Sequence, residues 1–143
     1  MRINFTEEKV MGAKDALEVL FPNKKTEAAA RAFVGWLKEN GGRATKSEVS
    51  KFADSLQEGR LTLEGNVLRY SRRNFYLTIL RTLVNMGFLQ RNVPIWDEKS
   101  RKTLYVYAPN IFDIPQKPPS VGFWRLAYYL CRKWNKMFEA EGT

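Results

Sequence analysis

Apolar residues recur at three- and four-residue spacing in five stretches of the chain, which is the period of an amphipathic helix. A further region is rich in β-branched and aromatic residues and alternates in the manner of a strand with one buried face. The pattern predicts helices at residues 6–21, 27–40, 46–57, 72–86 and 120–140. It also predicts a β-hairpin over residues 88–108, directly after the fourth helix.

Capping residues and helix breakers give these helices their predicted bounds. Thr6, Thr26, Thr45 and Ser120 each stand where a side-chain oxygen can accept the free backbone N–H groups of a first turn. Thr45 and Glu48 have the spacing of a capping box, in which each residue satisfies a backbone donor of the other. The predicted helix ends are marked by Pro22, by the pair Gly41-Gly42 and by Gly87.

The predicted hairpin has strands at residues 88–96 and 103–108 and a charged turn at 97–102. Three basic residues lie in that turn: Lys99, Arg101 and Lys102. The segment 58–70, upstream of the fourth helix, is open to two interpretations. It is either a short hairpin with a Gly65-Asn66 turn or an irregular loop with one short strand.

The fourth helix separates an apolar face from a polar face when residues are placed at 100° intervals. The apolar side is formed by Phe75, Tyr76, Ile79, Leu80, Leu83 and Met86. The opposite side carries Asn74, Thr78, Arg81 and Asn85. Asparagine can pair bidentately with adenine and arginine with guanine, so this stripe is the candidate for contacts with DNA bases. An ordinary amphipathic helix with a polar outer face is the alternative.

The last predicted helix, 120–140, carries more apolar surface than packing on a small core requires. It follows a proline-rich connector at residues 109–119. The excess surface is expected to pack on the first helix or on a second copy of the chain, and a homodimer is the preferred interpretation. The expected dimer contacts are Phe123, Leu126, Leu130, Trp134 and Phe138.

The composition is that of a globular protein and offers little for catalysis. The chain has 143 residues, 44% hydrophobic and 27% charged, which predicts one folded domain over residues 1–143. The absence of histidine and the single cysteine exclude histidine-based acid–base chemistry and the usual zinc clusters. No Gly-rich phosphate loop or constellation of carboxylates is found. We therefore expect no enzyme activity, no metal and no cofactor.

The sequence also lacks the segments that direct a chain to a membrane. Its longest mostly apolar run, residues 123–131, is far shorter than the roughly 20 residues that a membrane span needs. The first residues contain no apolar signal segment, and the lone Cys131 fits a reducing compartment. The predicted location is the cytoplasm, with no membrane partner.

Positive charge is concentrated in the fourth helix, its lead-in and the hairpin. The net charge is +9, and residues 58–108 contribute +5, from 9 Lys/Arg against 4 Asp/Glu. A basic cluster of this kind is typical of a surface that binds a phosphate backbone or an anionic membrane. A solvated basic face without a partner is the alternative.

The predicted order from Glu27 to Ala108 is helix, glycine turn, capped helix, linker, helix, glycine and basic hairpin. This segment resembles a winged helix-turn-helix domain of the kind found in bacterial and archaeal transcriptional regulators. The ending Leu83-Val-Asn-Met-Gly-Phe-Leu89 is similar to the end of many recognition helices in that family. The implied fold is mainly α with a small β-hairpin wing (α+β), with flanking helices at 6–21 and 120–140 as a dimerisation layer. The linker 58–70 is longer than the turn usual in the family.

The resemblance implies sequence-specific binding of double-stranded DNA and a role in transcription regulation. It would place the recognition helix, 72–86, in the major groove with its polar stripe at the bases, and the wing, 97–102, on the backbone. The expected backbone contacts, with Arg69 added for its place before the helix, are Lys46, Ser47, Arg69, Arg72, Arg73, Lys99, Arg101 and Lys102. Two alternatives remain open. One is a winged helix that serves as a protein-interaction module in a transcription or replication assembly, and the other is RNA binding through the same basic face.

Overall fold

The computed structural model describes residues 6–139 and has an α+β fold in which two small antiparallel sheets accompany the helices. The chain divides into two compact units. We call Ala28–Asn110 the central unit; the terminal unit combines the chain up to Glu27 with the chain from Ile111. The expectation of a single folding domain stays a prediction, because a division by contacts does not measure folding.

The described residues form helices and strands of very different lengths. In chain order the first half contains α1 (Glu7–Gly12), α2 (Ala16–Leu20), α3 (Lys24–Glu39), β1 (Ala44–Thr45), α4 (Lys46–Gln57), β2 (Leu61–Leu63) and β3 (Asn66–Leu68). The second half contains α5 (Arg72–Asn74), a π-helical segment (Phe75–Leu80), α6 (Arg81–Asn85), β4 (Leu89–Asp97), β5 (Lys102–Pro109) and α7 (Phe123–Met137). The three consecutive helical segments after β3 form one continuous helix, called helix 72–85 below.

The predicted third helix is confirmed at both ends as α4. The Glu48 backbone N–H donates to Thr45 Oγ1 at 3.1 Å, and the Thr45 backbone N–H donates to Glu48 Oε1 at 2.9 Å, which completes the capping box. The fourth helix and the hairpin also lie where the pattern predicts them, within one to two residues at each end. Local capping and glycine signals are therefore sufficient for these elements.

Strand β1 joins the hairpin in a three-stranded sheet of order β1-β5-β4. Strand β5 lies in the middle, with Tyr107 opposite Ala44 on one side and Val106 opposite Val93 on the other. The sequence pattern does not predict β1, because two residues are too few to show an alternation. Since β1 leads directly into α4, the sheet fixes the start of α4 against the hairpin.

The segment 58–70 contains a second hairpin, formed by β2 and β3. Leu63 is paired with Asn66, so the turn consists of Glu64 and Gly65. Both turn residues have positive φ, 53° and 82°, as a two-residue type I′ turn requires. Of the two interpretations left open, the hairpin is correct, but its turn is Glu64-Gly65 and not Gly65-Asn66.

An aromatic cluster holds the three main helices of the central unit together. Phe33 of α3 lies 5.1 Å from Phe75 of helix 72–85 and 5.5 Å from Phe52 of α4, measured between ring centroids. Phe52 and Phe75 are 5.6 Å apart, and all three rings are buried. Aromatic pairs at such distances contribute about 0.5–1.5 kcal/mol beyond the burial of their area. The position of helix 72–85 against α3 and α4 depends on this cluster.

The predicted start of the second helix at Glu27 is wrong by one turn, because α3 begins at Lys24. Asn23 occupies the capping position: its Oδ1 accepts a hydrogen bond from the Thr26 backbone N–H at 3.1 Å. Thr26, expected to be the cap, is instead a buried residue of the first turn. Asparagine caps a helix as well as threonine does. The two residue types therefore do not decide which of them is the cap, and the fold decides it by burying Thr26.

The predicted helix 6–21 is two helices, α1 and α2, separated by an extended residue, Ala13. Thr6 caps α1 as expected, and Asp15 starts α2 by accepting a hydrogen bond from the Leu17 backbone N–H at 3.1 Å. Lys133 Nζ of α7 donates to the carbonyl of Ala13, which satisfies an acceptor freed by the break. An apolar period that continues across the break hides it from pattern analysis.

The last helix is shorter than the predicted 120–140. It runs from Phe123 to Met137 and starts after Gly122, without a side-chain cap, so Ser120 is not the cap. The predicted end, Ala140, lies outside the described residues. Asn135 Nδ2 donates to the Phe112 carbonyl and Asn135 Oδ1 accepts from the Phe112 backbone N–H, both at 2.9 Å, which ties the connector to α7.

The expected dimer surface on α7 needs a correction. Leu130 is 3% exposed and Trp134 is not exposed at all, so both fill the interior of the single chain. Leu126 and Phe138 are partly covered, and Phe123 is exposed. The physical reason is that the chain's own core uses most of the apolar stripe. The apolar residues that remain open at this end of α7 are Val121, Phe123 and Trp124.

Candidate nucleic-acid interface

The start of helix 72–85 is anchored to the end of α4 by hydrogen bonds. Ser71 caps the helix, with its Oγ accepting from the Asn74 backbone N–H at 2.9 Å. The Arg72 backbone N–H donates to Oε1 of Gln57, the last residue of α4, at 3.0 Å. A free N–H at the helix start is thereby satisfied by the neighbouring helix, which fixes the angle at which helix 72–85 leaves α4.

The side chain of Arg72, expected to contact phosphates, is occupied inside the protein. Its Nη1 donates to Asp54 Oδ1 at 2.8 Å and to the Ser50 carbonyl at 2.9 Å, and its Nη2 donates to Ser50 Oγ at 2.9 Å. The guanidinium also lies 5.1 Å from the centroid of the Tyr76 ring. Three of the five guanidinium N–H donors are therefore used to hold helix 72–85 on α4. Arg72 is a positioning residue for this surface.

The middle of helix 72–85 is π-helical, which changes the residues that face outward. The backbone N–H of Arg81 donates to the carbonyl of Tyr76, five residues earlier, whereas in an α-helix it would donate to the carbonyl four residues earlier. The wider turn takes more residues for each revolution than the 3.6 of an α-helix. The assumption of 100° per residue therefore fails over this stretch.

The exposed row that results is Arg73, Leu77, Arg81 and Asn85, at strict four-residue spacing. Of the predicted base-contacting residues, Asn74, Arg81 and Asn85 are exposed, whereas Thr78 is partly buried. Leu77, which is 47% exposed, takes the central place on the row that the pattern assigns to Thr78. Met86, predicted on the apolar side, is also exposed. In the described part of the chain, Arg73 and Arg81 form no ion pair.

The beginning of α4 adds two more of the predicted backbone contacts. Lys46 and Ser47 are exposed in its first turn, beside Glu48. The backbone N–H of Thr45 donates to the Glu48 carboxylate, and this bond holds the pKa of Glu48 below its usual value. Asn40 Nδ2 also donates to Glu48 Oε2 at 3.3 Å. The acid is committed to the cap, and Lys46 forms no ion pair within residues 6–139.

Asp97 shapes the tip of the β4–β5 hairpin. Its Oδ2 accepts from the Ser100 hydroxyl at 2.6 Å and from the Ser100 backbone N–H at 3.2 Å, which lowers the pKa of the carboxyl group. The Asp97 carbonyl accepts from the backbone N–H of Arg101, a residue in the left-handed region at φ 55°. The three predicted basic residues of the tip are all exposed: Lys99, Arg101 and Lys102.

A β-bulge brings one further arginine to the surface. Gln90 is opposite Ala108 and Val93 is opposite Val106, so β4 contains one more residue than β5 between these pairs. Asn92 adopts φ 59° within the bulge, and Arg91 beside it is exposed. The sequence pattern does not place Arg91 among the candidates. Its signal is the run Gln-Arg-Asn, three polar residues that break the alternation of the strand.

Tyr107 is a partly buried residue of β5 and lies opposite Ala44 of β1. Burial raises the pKa of its phenol, the nearby Tyr76 raises it further, and Arg91 acts in the opposite direction. Tyr76 itself carries Arg72 against its ring.

The β2–β3 hairpin places one of the predicted basic residues next to a glycine. A Cβ atom at Gly59 would lie 2.4 Å from Nε of Arg69, so the arginine side chain passes directly over this residue. Gly59 has φ 70°, a region that favours glycine. Arg69 is exposed, while Arg60 in the same segment is paired with Glu58 at 2.6 Å. Arg69 is therefore the available cation of this hairpin.

Within residues 6–139, no group of three or more His, Cys, Asp or Glu side chains is arranged to hold a metal ion. No helix in that range has both the length and the apolar character needed to cross a membrane. Comparisons with protein-family models, with curated proteins and with solved structures find no match to this chain. The chemistry present on the surface consists of cations, amides and aromatic rings on helix 72–85, α4 and the hairpin.

Proposed function

We propose that the central unit is a winged helix-turn-helix domain that binds double-stranded DNA and serves in transcription regulation. Helix 72–85 is its recognition helix, the β4–β5 hairpin is its wing, and α4 is the helix that precedes the turn. The observation that carries the proposal is the sheet order β1-β5-β4 combined with the exposed basic row on the helix. No catalytic step is involved, because binding alone would perform the function.

The topology supports the proposal independently of the composition. In a winged helix, a short strand between the first two helices pairs with the second strand of the wing hairpin. Strand β1 lies between α3 and α4 and pairs with β5, the returning strand of the hairpin. This pairing fixes the wing beside the start of α4. Contact of both elements with the same DNA backbone requires such an arrangement. The β2–β3 hairpin is an insertion in this arrangement, between α4 and the recognition helix.

The electrostatics of the surface support a polyanionic partner. Exposed cations lie on each of the elements that would contact the duplex: Lys46, Arg69, Arg73, Arg81, Arg91, Lys99, Arg101 and Lys102. Three acids of the same unit are internally engaged, Glu48 in its cap, Asp54 with Arg72 and Asp97 in the turn. If six cations neutralise phosphates, affinity should fall about 10³-fold between 50 and 200 mM salt.

The exposed row of the helix gives each residue a role in the proposal. Arg81 and Asn85 have the side chains that read guanine and adenine edges. Leu77 offers an apolar contact of the kind that the thymine methyl group accepts. Arg73, near the helix start, is placed to bind phosphate. Thr78 is omitted from this set because it is partly buried.

The proposal is tested by titrating labelled duplex DNA, single-stranded DNA and RNA with the full chain at two salt concentrations. Arg73→Ala should weaken binding to every duplex, and Arg81→Ala should reduce the preference between sequences by about 1–3 kcal/mol. Arg132→Ala, which removes an exposed arginine of α7, is the matched control for lost charge. Binding that is insensitive to salt, or equal loss in all three variants, would contradict the assignment. Tighter binding to RNA than to duplex DNA would favour the RNA alternative.

A homodimer that reads two half-sites stays part of the proposal. Val121, Phe123 and Trp124 are the exposed apolar residues of the terminal unit that support it, in place of Leu130 and Trp134. Sedimentation equilibrium of the wild type and of Trp124→Ala tests this part. The dimer should dissociate more readily in the variant, and a monomeric wild type at all concentrations would remove the dimer from the proposal without affecting DNA binding by the central unit.

A further inference from the structure

The wing carries two large aromatic rings on its outward face. Trp96 is 58% exposed and Tyr105 is 57% exposed. In the register of the hairpin, Trp96 is opposite Thr103 and Tyr105 is opposite Pro94. Because residues two apart on a strand share a face, both rings and the two smaller residues form one surface. The inner face of the same strands is covered, with Val106 fully buried.

Trp96 and Tyr105 are diagonal neighbours on this surface. Diagonal positions across an antiparallel pair are about 7–8 Å apart, within reach of aromatic side chains. Among the described residues, neither ring takes part in a hydrogen bond, an ion pair or a ring–ring contact. Two rings of this size left in water are not explained by the core of the hairpin, which Leu104 and Val106 supply from the other side.

The charges around this surface indicate which kind of ligand would bind to it. Within six residues of one ring or the other lie four exposed cations, Arg91, Lys99, Arg101 and Lys102. The acids nearby are Asp97, whose carboxylate is engaged by Ser100, and the exposed Glu98. An aromatic surface bordered by an excess of cations fits a nucleic acid strand with unpaired bases, since rings stack on bases and cations follow the phosphates.

A base inside a duplex is already stacked on both sides and presents only its edge in the grooves. The faces of Trp96 and Tyr105 therefore fit unpaired bases and not the bases inside a duplex. The recognition helix, by contrast, needs an intact major groove. The two requirements are met together where a duplex ends in, or opens into, a single strand.

We propose that the wing is a stacking platform for unpaired nucleobases, so that the preferred ligand is a duplex adjoining a single-stranded segment. This inference rests on the proposed function, because helix 72–85 holds the duplex part. Stacking on an aromatic side chain contributes about 1–3 kcal/mol per base, which corresponds to roughly 5-fold to 150-fold in affinity per ring.

The test compares four ligands that share one duplex: blunt-ended, with a six-nucleotide DNA tail, with an RNA tail of the same sequence, and with an abasic tail. The abasic tail has the same phosphates as the DNA tail but no bases. The wild type should bind the DNA or the RNA tail at least 5-fold more tightly than the abasic tail, and whichever is tighter identifies the sugar. Equal binding of abasic and base-containing tails overturns the proposal.

Substitutions in the wing test whether the tighter binding of base-containing tails depends on Trp96 and Tyr105. Trp96→Ala and Tyr105→Ala should each remove most of the tail increment and leave blunt-duplex affinity unchanged, while Trp96→Phe should retain part of it. Ile111→Ala, which removes an exposed apolar side chain of the terminal unit outside the proposed dimer surface, should change neither value. If Trp96→Ala lowers blunt and tailed binding equally, or changes neither, the proposal fails. Blunt-duplex binding reports the proposed function separately: its absence in the wild type refutes that function, whatever the tails do.

Discussion

Replacing Arg72 by alanine separates a structural role from a DNA-binding role. Arg72 is one of three arginines in or beside the first turn of helix 72–85, and sequence alone gives it the same role as Arg73. The structure gives it three side-chain hydrogen bonds to Ser50 and Asp54 and a contact with the Tyr76 ring. We expect Arg72→Ala to lower the free energy of unfolding, whereas Arg73→Ala should lower affinity for DNA.

The expected magnitude follows from the exposure of the partners. Hydrogen bonds to a charged group contribute about 1.5–3 kcal/mol when buried, and an exposed ion pair about 0.2–1 kcal/mol. The side chains of Arg72 and Asp54 are 36% and 49% exposed, so solvent screens a large part of the interaction. With a cation–π contribution of about 0.5–1 kcal/mol, the whole set should be worth about 2 kcal/mol.

Urea denaturation of the full chain, followed by circular dichroism, measures this difference. At an m-value of about 2 kcal/mol per molar urea, a loss of about 2 kcal/mol moves the midpoint down by about 1 M with m unchanged. Arg73→Ala should move it by less than about 0.25 M, because an exposed arginine without a partner contributes less than about 0.5 kcal/mol. Arg72→Lys should resemble Arg72→Ala, since an ammonium group cannot reproduce the fork of the guanidinium.

The refuting result is specific. If Arg72→Ala unfolds at the wild-type urea concentration and loses DNA affinity as Arg73→Ala does, the arginine serves the ligand and not the fold. Retention of full DNA affinity by Arg72→Lys together with wild-type stability would equally refute the structural role of the guanidinium. A double-mutant cycle with Asp54→Ala should give a coupling of about 0.5–1 kcal/mol if the two side chains interact as described.

Three further outcomes follow from the fold. Glu48→Gln should lower the free energy of unfolding by about 1 kcal/mol at pH 7. Because the pKa of Glu48 is lowered in the folded state, this difference should be present above about pH 4.5 and disappear as the pH falls through the folded-state pKa, which urea denaturation at pH 7 and pH 3 measures. Phe75→Ala should cost about 3–5 kcal/mol in the same assay, since the ring is fully buried between Phe33 and Phe52, and a loss below 1 kcal/mol would refute the aromatic cluster. Gly87→Ala should cost about 1–2 kcal/mol from its φ of 83° alone, because a Cβ there meets no atom within 4 Å; an unchanged midpoint would contradict that conformation.

The sequence predicts the elements that carry their own boundary signals. The Thr45 and Glu48 capping box and the apolar period that follows give α4 correctly at both ends, and Gly87 marks the end of helix 72–85. Strand β1 and the break at Ala13 are missed, because a two-residue strand has no period and the apolar pattern continues through the break. The hairpin at 58–70 is one of two interpretations that the pattern allows, and the Glu64-Gly65 turn that completes it is an unusual pair for this turn type.

The candidate surface is predicted less well than the fold, and the reason lies in long-range contacts. Arg72 and Arg73 are identical neighbours in sequence, and only the position of Ser50 and Asp54 tells them apart. Leu77 is exposed where Thr78 is expected, because successive residues of the π-helical segment turn through a smaller angle than in an α-helix. The amino-acid composition gives no sign of this segment. The exposure of Trp96 and Tyr105 follows from the register of β4 against β5, which runs without a shift from Val93 opposite Val106 to Asp97 opposite Lys102.

The π-helical segment reduces the twist of the exposed row on helix 72–85. In an α-helix, residues four apart are offset by about 40°, so a row of four would twist through about 120° from its first member to its last. The wider turns between Phe75 and Leu80 reduce that twist in the middle of the row, while the step from Arg81 to Asn85 is α-helical. At a rise of about 1.5 Å per residue, the row is about 18 Å long, comparable with five base-pair steps of about 3.4 Å. In the proposed complex, such a row would contact one strand of a groove along its whole length. Deletion of a single residue within the row would rotate the residues on one side of the deletion away from that strand.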